Sequence, residues 1–147
     1  KMDKALSYLS IARKAGLLEV GEENSGDAAR RGKAKILLLA ADASDNARRR
    51  AEGFVYGRQI PLARLPFTKE QISAATGRHG CSMVALTDIG LASSIMNTLA
   101  ETAPEEYGAI AEEMRQRDET AARRRREAAS RKRPGKNGAE RKTDGSK

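Results

Sequence analysis

The 147-residue chain suits one modest domain with a tail, and its formal charge of +8 favours an anionic partner. No apolar stretch approaches the length of a membrane span and no secretory pattern opens the sequence, so a cytoplasmic location without membrane contact is expected. The one cysteine, Cys81, excludes an intramolecular disulfide, and with 3% aromatic residues and no Trp any core must be aliphatic and alanine-rich.

Asp3 is placed to cap a first helix, along which Ala5, Tyr8, Leu9 and Ala12 recur at helical spacing until Gly16 stops it. Leu17, Leu18 and Val20 predict a short strand. Gly21-Glu22-Glu23-Asn24 reads as a polar turn, and Ser25 as the cap of a short helix that runs to Gly32 with Arg30 and Arg31 on its exposed side. Lys33-Ala34-Lys35 then leads into Ile36–Ala41. This apolar run has no polar alternation, which predicts a strand covered on both faces.

Ser44 or Asp45 caps the next helix, with Ala47, Ala51, Phe54 and Val55 inward, Arg48, Arg49 and Arg50 outward, and Gly57 at its end. Ile60, Leu62 and Leu65 predict another strand, which Pro61 places near a sheet edge. Thr68 to Gln71 has capping-box spacing and opens a helix that stops at Gly77. After the loop Arg78-His79-Gly80, Cys81–Leu86 predicts the last strand. Thr87-Asp88 caps a helix carrying Ala92, Ile95, Met96 and Leu99 on one face. Helix and strand alternate throughout. The class this predicts is α/β, a three-layer α/β/α sandwich over residues 1–102.

Beyond Thr102 the character changes. Residues 101–122 carry seven acidic and two basic side chains, and residues 123–147 carry eleven basic and three acidic ones. Pro104, followed by Glu105 and Glu106, predicts a helix whose Tyr107, Ile110, Ala111 and Met114 dock on the domain. Past Gln116 no apolar face remains, and a disordered tail is expected from 123, with charge pairing giving its start transient helicity. Arg123, Arg124, Arg125, Arg126, Arg131, Lys132 and Arg133 are its expected phosphate contacts.

Gly21, Arg31-Gly32, Ala34-Lys35, the apolar run and Ala41-Asp42-Ala43-Ser44, in that order, resemble the ribosomal L7Ae/L30e superfamily, especially its small bacterial members. The motif order covers roughly residues 3 to 100. The resemblance implies a small mixed four-stranded sheet between helices. It also implies that the surface of the Gly21 turn docks into an RNA kink-turn, a sharply bent internal loop, while the loop before the last strand packs on the flipped-out nucleotide.

Carried onto this chain, that surface comprises Gly21, Glu22, Glu23, Asn24, Asp27, Arg30, Arg31, Lys33 and Lys35, and the loop comprises Arg78, His79, Gly80 and Cys81. Many members have Gly-x-Asn-Glu-x-Thr-Lys here. In this chain Glu23 stands at the usual Asn position, Asn24 at the Glu position and Asp27 at the Lys position. A carboxylate accepts from base amino groups but cannot donate, and Asp27 repels a phosphate.

Enzymatic readings have little to stand on. His79 is the only histidine, so no His/Cys metal cluster can be assembled, and neither GxGxxG nor GxxxxGK[ST] occurs. Asp42 and Asp88 are explained as helix caps, and the i, i+2 spacing of His79 and Cys81 is a weak nucleophile pair. The expectation is a monomeric, non-catalytic RNA-binding protein without a cofactor. Its partner would be ribosomal or another structured RNA, or the ribosome itself. The competing expectation is a protein-binding adaptor that uses its sheet edge or the acidic segment, with a basic tail for nucleic acid.

Overall fold

The chain leaves the first helix α1 (Lys4–Lys14) for the strand β1 (Leu18–Val20), and from there helices and strands alternate: α2 (Glu22–Arg30), β2 (Ile36–Leu39), α3 (Asp45–Val55), β3 (Leu62–Arg64), α4 (Lys69–Thr76), β4 (Met83–Leu86), α5 (Ile89–Thr102) and α6 (Pro104–Arg141). This computed structural model describes residues 3–141, with side chains to Arg131. The four strands form one mixed sheet in the order β1-β4-β2-β3. β4 is antiparallel to both β1 and β2, and β3 is parallel to β2 at the edge, where Pro61 was expected to place it.

The uninterrupted apolar run becomes a central strand because both faces of it are covered. Ile36 and Leu38 join α1, α4, α5 and α6 in the larger core, while Leu37 and Leu39 join Ala28 and Ala29 of α2 and Ala51 of α3 in the smaller one. Period-2 alternation therefore survives as a choice between two buried layers instead of between core and water. The α/β sandwich with a small mixed four-stranded sheet is as expected.

Capping follows the sequence at most ends. Asp3, Ser44 and Asp88 accept hydrogen bonds from backbone N–H groups at their helix starts, and Thr68 with Gln71 forms a full capping box. Ser25 departs from its expected role. The helix begins earlier, at Glu22, because Gly21 at φ 100° turns the chain directly out of β1. Ser25 then faces inward, fully buried, and its hydroxyl has no hydrogen-bond partner among the described residues.

β2 and β4 are shorter than the runs Ile36–Ala41 and Cys81–Leu86. At their shared end the chain peels away, the N–H of Ala40 bonding to the Ser82 carbonyl and that of Ala41 to the Phe67 carbonyl.

The stretch after Thr102 docks as expected and then departs from expectation. Tyr107, Ala111 and Met114 are buried in the larger core, and the Tyr107 hydroxyl donates to the Arg64 carbonyl at 2.7 Å. The helix continues to Arg141 where disorder was expected from 123. As far as Arg131 its composition is the physical reason, since Ala, Arg and Glu are strong helix formers, whereas Pro134, Gly135 and Gly138 beyond it are not. Arg115 also bridges Glu112 and Glu119 at 2.6 Å each, and Arg117 pairs with Glu113. The part of the expected disordered tail after Arg141 lies outside the described residues.

Candidate nucleic-acid interface

Register decides which residues share a surface. Leu39 pairs with Met83 and Ile36 with Leu86, so the exit of β2 lies beside the entrance of β4. The N–H of Gly21 donates to the Met83 carbonyl at 2.8 Å, which brings the start of α2 to the same end. The N–H of Lys35 donates instead to the Leu86 carbonyl at 2.7 Å, at the opposite end.

The expected contacts are thereby divided. Gly21, Glu22, Glu23 and Asn24 gather at one end with Arg78, His79, Gly80 and Cys81. Arg30, Arg31, Lys33 and Lys35 lie at the far end of α2, about 13 Å along a nine-residue helix. Four of the cations expected to steer RNA onto the Gly21 turn do not flank it.

At the turn end, a side-chain carbon built on Gly21 would lie 3.9 Å from Nη2 of Arg78. The guanidinium thus stands over the entrance to α2, where unpaired N–H groups and the helix dipole favour an anion. The Glu22 carboxylate pairs with Arg50 at 3.1 Å and accepts a long hydrogen bond from Ser82 at 3.5 Å. Asn24 donates through Nδ2 to the Val20 carbonyl at 3.0 Å, which fixes the amide and leaves Oδ1 to accept. Glu23 is exposed and in no ion pair among the described residues.

Phe54 packs under the middle of α2. A side-chain carbon on Gly26 would fall 2.6 Å from its ring, so α2 and α3 approach only because residue 26 has none. Arg30 and Arg50 both lie over the same ring, at 5.9 and 6.0 Å from its centre.

The loop beside the turn is exposed at Arg78, His79 and Gly80 and buried at Cys81. Burial pushes the Cys81 thiol up from its ordinary range, only partly offset by contacts with the Met83 and Gly21 backbone and by the positive charges of Arg78 and Arg13. A raised thiol is a poor nucleophile, and the geometry makes Cys81 an anchor for the loop. His79 and Gly80 border a shallow hollow of about 340 Å³ with Asp42, Lys69 and Ser73. Asp42 accepts from the backbone N–H of Lys69 at 2.8 Å, tying the β2 exit to the start of α4. This end is a polar surface that carries charges of both signs.

Asp27 sits on the exposed side of α2, 3.4 Å from Arg31 and 3.9 Å from Arg30, so it partly neutralises the cations beside it. Arg123 to Arg126 and Arg131 are exposed along α6; the side chains of Lys132 and Arg133 lie outside the described residues. The roles of Arg50, Ser82 and Asp42 have no local signature, because each depends on a partner at least twenty-seven positions away. Among the described residues no group of His, Cys, Asp and Glu could hold a metal ion, and no helix is long and apolar enough to cross a membrane.

Neither a protein-family model nor a curated protein matches the sequence. Solved structures do match. A protein of unknown function from Bacillus halodurans is 24% identical, covers 66% of this chain and 97% of its own, and superimposes with a TM-score of 0.61. A 15.5kD RNA-binding protein from Giardia lamblia is 15% identical, covers 65% of this chain and 82% of its own, with a TM-score of 0.52. The likeness is one of fold. It spans about two thirds of this chain.

Proposed function

We propose that this is a non-catalytic RNA-binding protein of the ribosomal L7Ae/L30e type, acting in translation or ribosome assembly. It docks the Gly21 end of its sheet on a sharply bent, kink-turn-like RNA. The observation that carries the reading is the meeting of two segments far apart in sequence, with Arg78 positioned over the Gly21 entrance to α2. The shared fold of the Giardia RNA-binding protein supports RNA as the partner class.

In this docking the N-terminus of α2 and Arg78 hold a phosphate at the bend. Glu23 and the free Oδ1 of Asn24 accept hydrogen bonds from amino groups of unstacked bases, a readout suited to irregular RNA. The buried Cys81 fixes the base of the loop, and His79 and Gly80 leave room for an extruded nucleotide.

Binding of the full-length protein to a kink-turn hairpin and to a matched duplex tests the reading. Wild type is expected to prefer the hairpin. Arg78→Glu is expected to weaken hairpin binding by about tenfold or more while leaving duplex binding nearly unchanged, as removal of a charge-assisted hydrogen bond requires. Equal affinity of wild type for the two RNAs would overturn the docking mode.

A further inference from the structure

Two of the four cations that register removed from the Gly21 turn come together again. Arg30 and Lys35 line one wall of an open cleft of about 710 Å³ at the opposite end of the sheet, Arg58 lies in the turn between α3 and β3, and α6 closes the other wall with Arg117 and Arg124. Only Glu113 among the lining residues opposes them, and it is paired to Arg117. Arg117 also donates to the Gln59 carbonyl at 2.8 Å, which pins α6 across the cleft. Lys35, Arg58 and Arg124 are exposed and in no ion pair among the described residues, so their charge faces the opening.

We propose that this cleft binds a run of RNA phosphates, a second RNA site at the end of the sheet remote from the Gly21 turn. The surface is suited to a backbone and not to a base. Its apolar lining is limited to small and aliphatic groups such as Ala29, Ala34 and Ile60, with no aromatic ring on which a base would stack. The occupant is a strand in preference to a single nucleotide because the cations do not stop at the cleft. Past Arg124 the same face of α6 reaches the exposed Arg131 two turns on, with Glu127 between them, while the exposed Arg125 and Arg126 turn to the adjoining sides, so a strand leaving the cleft meets further cations and releases more counterions. The site shares with the docking reading only the class of ligand, and a strand crossing it need not touch the Gly21 end.

Full-length protein binding to a single-stranded oligoribonucleotide, followed across a salt series, tests the proposal. The variants are Lys35→Glu, Arg58→Gln, their combination and, as a control on the outer side of α3, Arg49→Glu. The Lys35 side chain makes no hydrogen bond or ion pair among the described residues, so Lys35→Glu is expected to melt like wild type.

The combined variant is expected to bind about tenfold or more weakly, with the slope of log affinity against log salt shallower by about 0.7 for each phosphate no longer neutralised. Arg49→Glu is expected to stay within about twofold of wild type, as for an exposed charge that touches no ligand. Preference for a kink-turn hairpin over duplex is expected to survive in the cleft variants and to fail in Arg78→Glu, which separates the two sites. An unchanged affinity and slope in Lys35→Glu and in the combined variant would overturn the cleft site and leave the arginines of α6 acting alone. A loss of affinity no larger than that of Arg49→Glu would overturn it as well.

Discussion

Tyr107 shows how much one side chain can carry. It is 3% exposed, and its hydroxyl closes α6 onto the end of β3 through the Arg64 carbonyl. Burial, reinforced by the neighbouring Glu106 charge, pushes its phenol up to about 12 from an ordinary 10.0. The fold therefore favours the protonated phenol. That contribution is fully present below pH 10 and is lost as the pH rises through about 12. Tyr107→Phe is expected to cost about 1 kcal/mol at neutral pH, the net worth of a hydrogen bond. The gap in stability between wild type and variant should then narrow between pH 10 and 12 in denaturant titrations. A gap that stays constant over that window would mean the phenol does not titrate with folding. Gly26 shows the same economy in reverse, since no substituent fits beneath the Phe54 ring.

At the scale of elements, α6 is two things in one helix. Its first turns are core, with Met114 fully buried, whereas from Arg123 to Arg126 every side chain is exposed. A helix held only by propensity and i, i+4 pairs is marginal, and one packed on a core is not. Amide hydrogen exchange is expected to divide accordingly, with protection near that of the sheet over 107–114 and fast exchange beyond 125. Uniform protection to Arg141 would show that the distal half has a packing partner. This division explains why the sequence pointed to disorder there. The apolar stripe that ends near Met114 was visible, and the helix-forming composition after it was outweighed by the lack of anything to bury.

For the whole molecule, the helix expected to dock after residue 102 does so, and Tyr107, Ala111 and Met114 complete the core formed by α1, α4 and α5. A chain cut after Thr102 forfeits this packing. Losing a large buried side chain costs about 2–5 kcal/mol against a total stability of about 5–15 kcal/mol. The truncated chain is expected to show no cooperative thermal transition by circular dichroism, and a melt like that of the full chain would show the first turns of α6 to be dispensable. RNA binding is for this reason best measured on the intact chain.

What the sequence determined by itself was local. The caps at Asp3, Ser44, Thr68 and Asp88 rest on a side chain two or three residues from the N–H it accepts, and the buried central strand rests on a run of adjacent apolar residues. The alternation of these elements fixed the α/β class. Tertiary structure alone decided which polar residues share a surface. Gly21 and Arg78 meet, and Lys35 is carried to the other end, because strand pairing set the direction of β4 against β2. Pairing is a contest among long-range contacts that no local pattern records. The same contest placed Ser25 in the interior, and laid the middle of α6 across Gln59 to turn a scatter of arginines and a lysine into a cleft.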